Sequence, residues 1–171
     1  MIRTRVLPLV ALAVLSLGAC GTTSTVAGIP APVNVPLAAP AVAARPAAAL
    51  TASPTDTLGT VVVDGTGFTL YRFDKDKPKP SKSNCNGACA GQWPPVVVAS
   101  ADAVKDVQLD GVNRAAVATV KRADGTMQLT IGGWPVYRFS GDKQAGDTAG
   151  QGVGKTWFAV TPTGKKAVAT N

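Results

Sequence analysis

One stretch of this chain occurs twice. Gly67-Phe68-Thr69-Leu70-Tyr71-Arg72-Phe73-Asp74-Lys75-Asp76 recurs as Gly133-Trp134-Pro135-Val136-Tyr137-Arg138-Phe139-Ser140-Gly141-Asp142, at a constant offset of 66 residues. The shared pattern is glycine, aromatic, any residue, aliphatic, tyrosine, arginine, phenylalanine, two variable positions and aspartate. Downstream, Trp93-Pro94-Pro95-Val96 answers Trp157-Phe158-Ala159-Val160 at an offset of 64. A match of this length means two copies of one structural unit, and two copies are too few for a solenoid. The chain should therefore hold one small pseudo-symmetric domain, with repeat 1 over about 57–98 and repeat 2 over about 115–162.

Each copy carries hairpin signals. Thr60 to Val63 is β-branched, Asp64-Gly65-Thr66-Gly67 is turn chemistry, and Phe68 to Phe73 resumes strand-forming residues. In the second copy Ala116 to Lys121 leads through Arg122-Ala123-Asp124-Gly125 to Met127–Ile131. A Gly132-Gly133 turn and the strand Trp134 to Phe139 follow, and Asp-Gly pairs are strong short-range hairpin signals. Val96–Val98 and Phe158–Thr161 are further short strands, and Ser100–Val107 is a weak helical turn. The fold class is mainly β.

Side chains alternate along an extended strand, so Tyr71 and Phe73 share one face while Phe68, Leu70 and Arg72 share the other. Tyr137 and Phe139 divide from Trp134, Val136 and Arg138 in the same way. Large apolar residues on both faces place these strands centrally. Asp76 and Asp142 fall just beyond them, where an aspartate commonly caps a turn through its own backbone. Two readings of the motif stay open. Tyr71, Arg72, Asp76, Tyr137, Arg138 and Asp142, with Trp93, form either a packed core or an aromatic and Arg/Asp site for a small ligand.

The chain has no histidine, and all ten of its acidic residues are aspartate. That excludes Ser-His-Asp and Cys-His catalysis, histidine-ligated metals and c-type haem attachment. No cofactor and no metal site is expected. The aspartate pairs at 74/76 and 142/147 lie in loops with no sign of the mutual geometry that acid–base work needs. No catalytic residue is named, and the chain is expected not to be an enzyme.

At the N-terminus two arginines, Arg3 and Arg5, precede an apolar run from Val6 to Leu17 that is too short to span a bilayer. Leu17-Gly18-Ala19-Cys20 closes it, which resembles a lipobox. Residues 1–19 then form a signal peptide, and Cys20 carries the lipid that fixes the protein to the extracytoplasmic face of a membrane. Residues 20–55 follow as a disordered tether, with six prolines and eleven alanines over 21–55. Fully extended, that tether reaches roughly 110 Å. The composition shifts at Asp56, so the folded domain is expected over 56–171.

With Cys20 lipidated, Cys85 and Cys89 remain as an even pair, which outside the cytosol points to a disulfide. Asn86-Gly87 supplies its sharp turn and Trp93 a surface for it to pack on. A redox-active pair is the alternative, although the C-x-x-x-C spacing differs from thioredoxin-like C-x-x-C. Lys75, Lys77, Lys79 and Lys82 crowd one loop. They either face anionic lipid or a wall polymer, or form a solvated loop. Nucleic acid is not an expected partner; an unidentified envelope protein is.

The two Tyr-x-Phe-x-x-Asp copies, the Cys85/Cys89 loop running into Trp93-Pro94-Pro95, and Gly146-Asp147-Thr148 through Gly152 to Trp157 together resemble the secreted-repeat lipoproteins of unknown function. That family is known by a Tyr-x-aromatic-x-x-Asp motif and is found especially in actinobacteria. The resemblance covers roughly residues 56–162. It implies a cell-envelope location and tandem repeats, and no enzymatic activity established for the group. The expected function is a non-enzymatic, membrane-anchored envelope module that binds or scaffolds. The alternative is a redox accessory protein working through Cys85 and Cys89.

Overall fold

Tyr71 and Tyr137, the same position of the two repeats, face each other on neighbouring antiparallel segments at the centre of the molecule. They exchange both backbone hydrogen bonds, Tyr71 N–H to the Tyr137 carbonyl at 2.8 Å and Tyr137 N–H to the Tyr71 carbonyl at 2.9 Å. A reciprocal pair of equivalent residues marks an approximate twofold axis. The computed structural model describes residues 48–169. The signal peptide, Cys20 and the tether as far as residue 47 lie outside the described residues.

In chain order the strands are β1 (Leu50–Thr55), β2 (Gly59–Asp64), β3 (Tyr71–Phe73), β4 (Lys77–Pro78), β5 (Ser81–Lys82) and β6 (Val97–Val98). They continue as β7 (Leu109–Asp110), β8 (Val117–Lys121), β9 (Met127–Ile131), β10 (Trp134–Pro135) and β11 (Trp157–Ala159), and the one α-helix among the described residues is α1 (Ala88–Gln92). One sheet has the order β2-β1-β7. A second has β10-β9-β6 with β8 also paired to β9, and β11-β3 and β4-β5 are two-stranded. The fold is mainly β, as expected. The weak helical stretch is a 3-10 helix over Asp102–Asp106.

The Asp-Gly turns form for a visible reason. Asp64 Oδ1 accepts hydrogen bonds from the Thr66 N–H at 2.8 Å and the Thr66 hydroxyl at 2.7 Å. Asp124 Oδ1 does the same for Thr126, at 3.0 and 2.6 Å. Both are aspartate side chains mimicking a backbone turn. Gly125 meets the left-handed backbone of its turn at φ 86°.

The repeats are woven together. Around Leu70, Val62 N–H bonds to the Val160 carbonyl, Val160 N–H to Leu70 and Leu70 N–H to Val62, at 2.8 to 2.9 Å. Around Val136, Leu129 N–H bonds to Val96, Val96 N–H to Val136 and Val136 N–H to Leu129, at 2.8 to 3.1 Å. These are two small closed rings of three segments. In each ring two segments come from one repeat and the third from the other. Val160 of repeat 2 completes the half built on repeat 1, and Val96 of repeat 1 completes the half built on repeat 2. Bending into these rings shortens the strands expected over Phe68–Phe73 and Trp134–Phe139 to β3 and β10, with isolated bridges at Thr69 and Tyr137.

Strand alternation then sorts the core. Leu70, Val62, Val136, Leu129, Val96 and Val160 point to an aliphatic cluster. Tyr71, Phe73, Tyr137, Trp93 and Trp157 point to an aromatic one, which also contains Cys85. The division of faces expected from the sequence holds.

One expectation is corrected, and two segments hold more structure than the sequence suggests. The fold begins before Asp56, because β1 lies along all of β2 and Leu50 is fully buried. Alanine and proline in 48–55 concealed a strand, and Pro54 sits exposed in it where β7 no longer runs alongside. The segment after Cys85 holds the α1 turn as well as the bend at Gly87 (φ 56°). The lysine-rich loop holds the β4–β5 hairpin, on which Lys75, Lys77, Lys79 and Lys82 are all exposed.

Candidate functional site

The motif side chains repeat the exchange made by the backbone. Tyr71 donates its hydroxyl hydrogen bond to Asp142 Oδ2 at 2.8 Å, and Tyr137 donates to Asp76 Oδ2 at 2.7 Å. Each tyrosine thus meets the aspartate of the other repeat. The second oxygen of each carboxylate is also taken. Asp76 Oδ1 accepts the Asn84 N–H at 2.7 Å, and Asp142 Oδ1 accepts the Ala149 N–H at 3.0 Å. These bonds reach eight and seven residues along the chain, so neither aspartate is the simple local cap read from the sequence.

Both tyrosines are fully buried. Burial and the facing carboxylate push both phenols far above their ordinary range, which keeps them protonated donors. Burial also raises Asp76 to about 6, against the lowering pull of the Asn84 N–H and the Tyr137 hydroxyl. Asp142 is raised for the same first reason.

The aromatic rings follow the same rule. Phe73 stacks on Trp157 and Phe139 on Trp93, each with ring centroids 4.2 Å apart. Trp93 and Trp157 stack on each other at 3.8 Å with planes 1° apart. The result is a continuous column, Phe73–Trp157–Trp93–Phe139, with its tryptophan pair at the centre. Tyr71 stands edge-on to Trp93 at 5.5 Å, and Tyr137 edge-on to Trp157 at 5.1 Å. Trp93 is therefore a core residue, packed in the same cluster as the buried Cys85. The Cys85–Cys89 disulfide is formed.

The arginines exchange partners too, but they end in different surroundings. Arg72 lies over the Trp134 ring at 3.3 Å and Arg138 over the Phe68 ring at 4.1 Å, each covering the aromatic that opens the other repeat's motif. Arg72 is buried; it donates to the Gly164 carbonyl at 3.1 Å and pairs with Asp74 at 3.4 Å. Burial lowers its pKa, and Asp74 opposes that. The side chain of Arg138 is 37% exposed; its Nε pairs with the buried Asp64 at 3.1 Å, and Nη2 donates to the Thr66 hydroxyl at 3.0 Å. The C-terminal residues that close over Arg72 have no counterpart at Arg138.

What opens beside Arg138 is a groove of about 480 Å³. Val96, Val97, Val98 and Ala99 form much of its wall, together with Ala103, and Asp106 and the Arg138–Asp64 pair are its charged groups. Val97 is 49% exposed there. The size and the apolar lining with few polar groups suit a small-molecule site. Of the seven residues read from the sequence as a possible ligand site, Arg138 lines this groove, while Tyr71, Tyr137, Asp76 and Trp93 are spent on holding the halves together. Asp142 and Arg138 also border a smaller hollow of about 220 Å³.

Arg122 escaped the sequence reading. Its buried guanidinium donates to Ser83 Oγ and Gln128 Oε1, both at 2.7 Å, and to the Cys85 carbonyl at 2.8 Å. Ser83 in turn meets the Tyr137 hydroxyl at 2.7 Å. This network ties the disulfide loop to β9 and to the central tyrosine. Nothing in the spacing of Arg122 sets it apart from a surface arginine beside an Asp-Gly turn.

Among the described residues no group of three or more histidine, cysteine or acidic side chains is placed to hold a metal ion. No helix among them is long and apolar enough to cross a membrane. A family model described as a secreted repeat of unknown function matches the chain twice, over residues 53–97 and 118–161. No curated protein and no solved structure matches it.

Proposed function

We propose that this chain, which belongs to the family of secreted repeats of unknown function, is a non-enzymatic binding module held by lipid at the extracytoplasmic face of a membrane. The anchor rests on Leu17-Gly18-Ala19-Cys20 at the end of a basic-then-apolar leader. The observation that carries the binding role is the apolar groove beside Arg138, on a scaffold whose repeated tyrosines and aspartates pair with each other. A ligand with an apolar body would displace water from Val97 and Val98, and the partly exposed guanidinium of Arg138 offers it a polar contact.

The exposed lysines 75, 77, 79 and 82 supply a second, weaker contact with the anionic membrane to which the chain is tethered. Each is worth about 1 kcal/mol near such a surface. The redox alternative gains little support, since Cys85 is fully buried and its carbonyl is held by Arg122.

Intrinsic-fluorescence melting of the full chain against wall fragments, apolar small molecules and envelope extract tests the binding role. A raised midpoint that is abolished by Ala103→Trp, which fills the groove, is the expected result. No response to any of these would overturn it. Membrane fractionation of Cys20→Ser tests the anchor, and loss of lipid labelling at that position is expected.

A further inference from the structure

Beyond the groove, the aromatic column holds two indoles in close parallel contact at its centre. Trp93 and Trp157 are parallel to within 1° with centroids only 3.8 Å apart. Two indoles in such close parallel contact share a positive charge between them once one electron is removed, which makes the pair easier to oxidise than a lone tryptophan.

Each tryptophan of the pair has a tyrosine standing against it, and each tyrosine hydroxyl points at a carboxylate oxygen 2.7 to 2.8 Å away. A phenol that loses an electron becomes a strong acid and must release its proton. Here the base is already in place. Both tyrosines are fully buried, and Trp93 and Trp157 are only 2% and 5% exposed, so a diffusing oxidant draws an electron from the column across a thin layer of protein rather than by direct contact with a phenol.

We propose that the column is a one-electron relay that takes up oxidising equivalents arriving at the surface of the protein. A one-electron oxidant, of the class of small oxygen- or nitrogen-centred radicals, removes one electron from the Trp93/Trp157 pair and is itself reduced to its anion. Tyr71 or Tyr137 then returns an electron to the pair and passes its hydroxyl proton to Asp142 or Asp76. The product is a neutral tyrosyl radical beside a protonated aspartate, with the tryptophans restored. The raised proton affinity of both aspartates favours that transfer. The relay does not depend on the groove or on any ligand in it.

The composition makes the test unambiguous. The chain contains two tyrosines and three tryptophans, so every tyrosyl signal comes from Tyr71 or Tyr137. Trp134→Phe, which copies the phenylalanine at the matching position of repeat 1, confines the tryptophanyl signal to the stacked pair. Pulse radiolysis of the full chain with azide radicals in this background should show tryptophanyl absorbance decaying as tyrosyl absorbance grows. Both should follow one first-order rate, independent of protein concentration and slower in D₂O. Asp76→Asn with Asp142→Asn should suppress the conversion while the chain still melts cooperatively. If that pair fails to fold, the D₂O comparison on the parent decides. No tyrosyl signal, a rate that rises with protein concentration, or a conversion indifferent to D₂O would overturn the relay.

Discussion

The buried aspartates make stability fall as pH rises from mildly acidic to neutral. Asp76 stands at about 6 in the folded chain against an ordinary value of 3.8. Between those values the folded state binds a proton that the unfolded chain has already lost. Its stabilising contribution is therefore complete below pH 3.8 and is lost as pH passes through 6. A difference of about two units corresponds to about 3 kcal/mol. For a domain of this size that is a drop of roughly 10 °C in melting temperature. Asp142 is raised as well and acts in the same direction. Asp124 and Asp147 are lowered, so their windows lie below 3.8 and do not interfere. Thermal melts from pH 4 to pH 7 check this, with Asp76→Asn as the control. Asparagine can still accept from the Asn84 N–H and donate to the Tyr137 hydroxyl, but it does not titrate. The parent should lose stability across that range, and the variant should lose markedly less. A midpoint that is flat or rises with pH in the parent, or an equal fall in the variant, would refute the reasoning.

Arg122→Met leaves the Ser83 hydroxyl, the Cys85 carbonyl and the Gln128 side chain short of a donor in the interior. It should cost about 3–5 kcal/mol in urea denaturation, as breaking buried charged networks does. Gly150→Ala places a methyl 2.7 Å from Tyr71 ring carbons and 3.0 Å from Trp93. Those rings are held by the column, so overpacking of about 1–3 kcal/mol and altered tryptophan fluorescence are expected. Replacing both Cys85 and Cys89 by serine should lower stability by about 3–5 kcal/mol, of which the short loop supplies about 2 and the hydroxyl put at the fully buried position 85 the rest.

Much of this architecture was legible in the chain. The constant offset between Tyr71 and Tyr137 revealed two copies. The period of two placed Tyr71 and Phe73 opposite Leu70 and Arg72, and the two Asp-Gly pairs located turns. What stayed hidden was which copy each side chain serves. Tyr71 has an aspartate five residues on and an identical one in the other repeat, and nothing local distinguishes them; only the exchange of Val96 and Val160 between the halves decides it. β1 was concealed because Ala52 and Pro54 read like the tether before them. Arg122 had no repeat partner or motif to flag it. The asymmetry that leaves Arg138 open arises from the C-terminal segment around Gly164, which sits over Arg72 and lies outside the repeated motif.

The claim on which the rest stands is that the repeats are locked by exchange, tyrosine of one to aspartate of the other. Double-mutant cycles on unfolding free energy measure it directly, with Tyr71→Phe combined first with Asp142→Ala and then with Asp76→Ala. The exchanged arrangement predicts a coupling of about 1.5–3 kcal/mol for Tyr71 with Asp142, as for a buried hydrogen bond to a charged group. For Tyr71 with Asp76 it predicts additivity to within about 0.5 kcal/mol. Strong coupling of Tyr71 to Asp76 with none to Asp142 would contradict it.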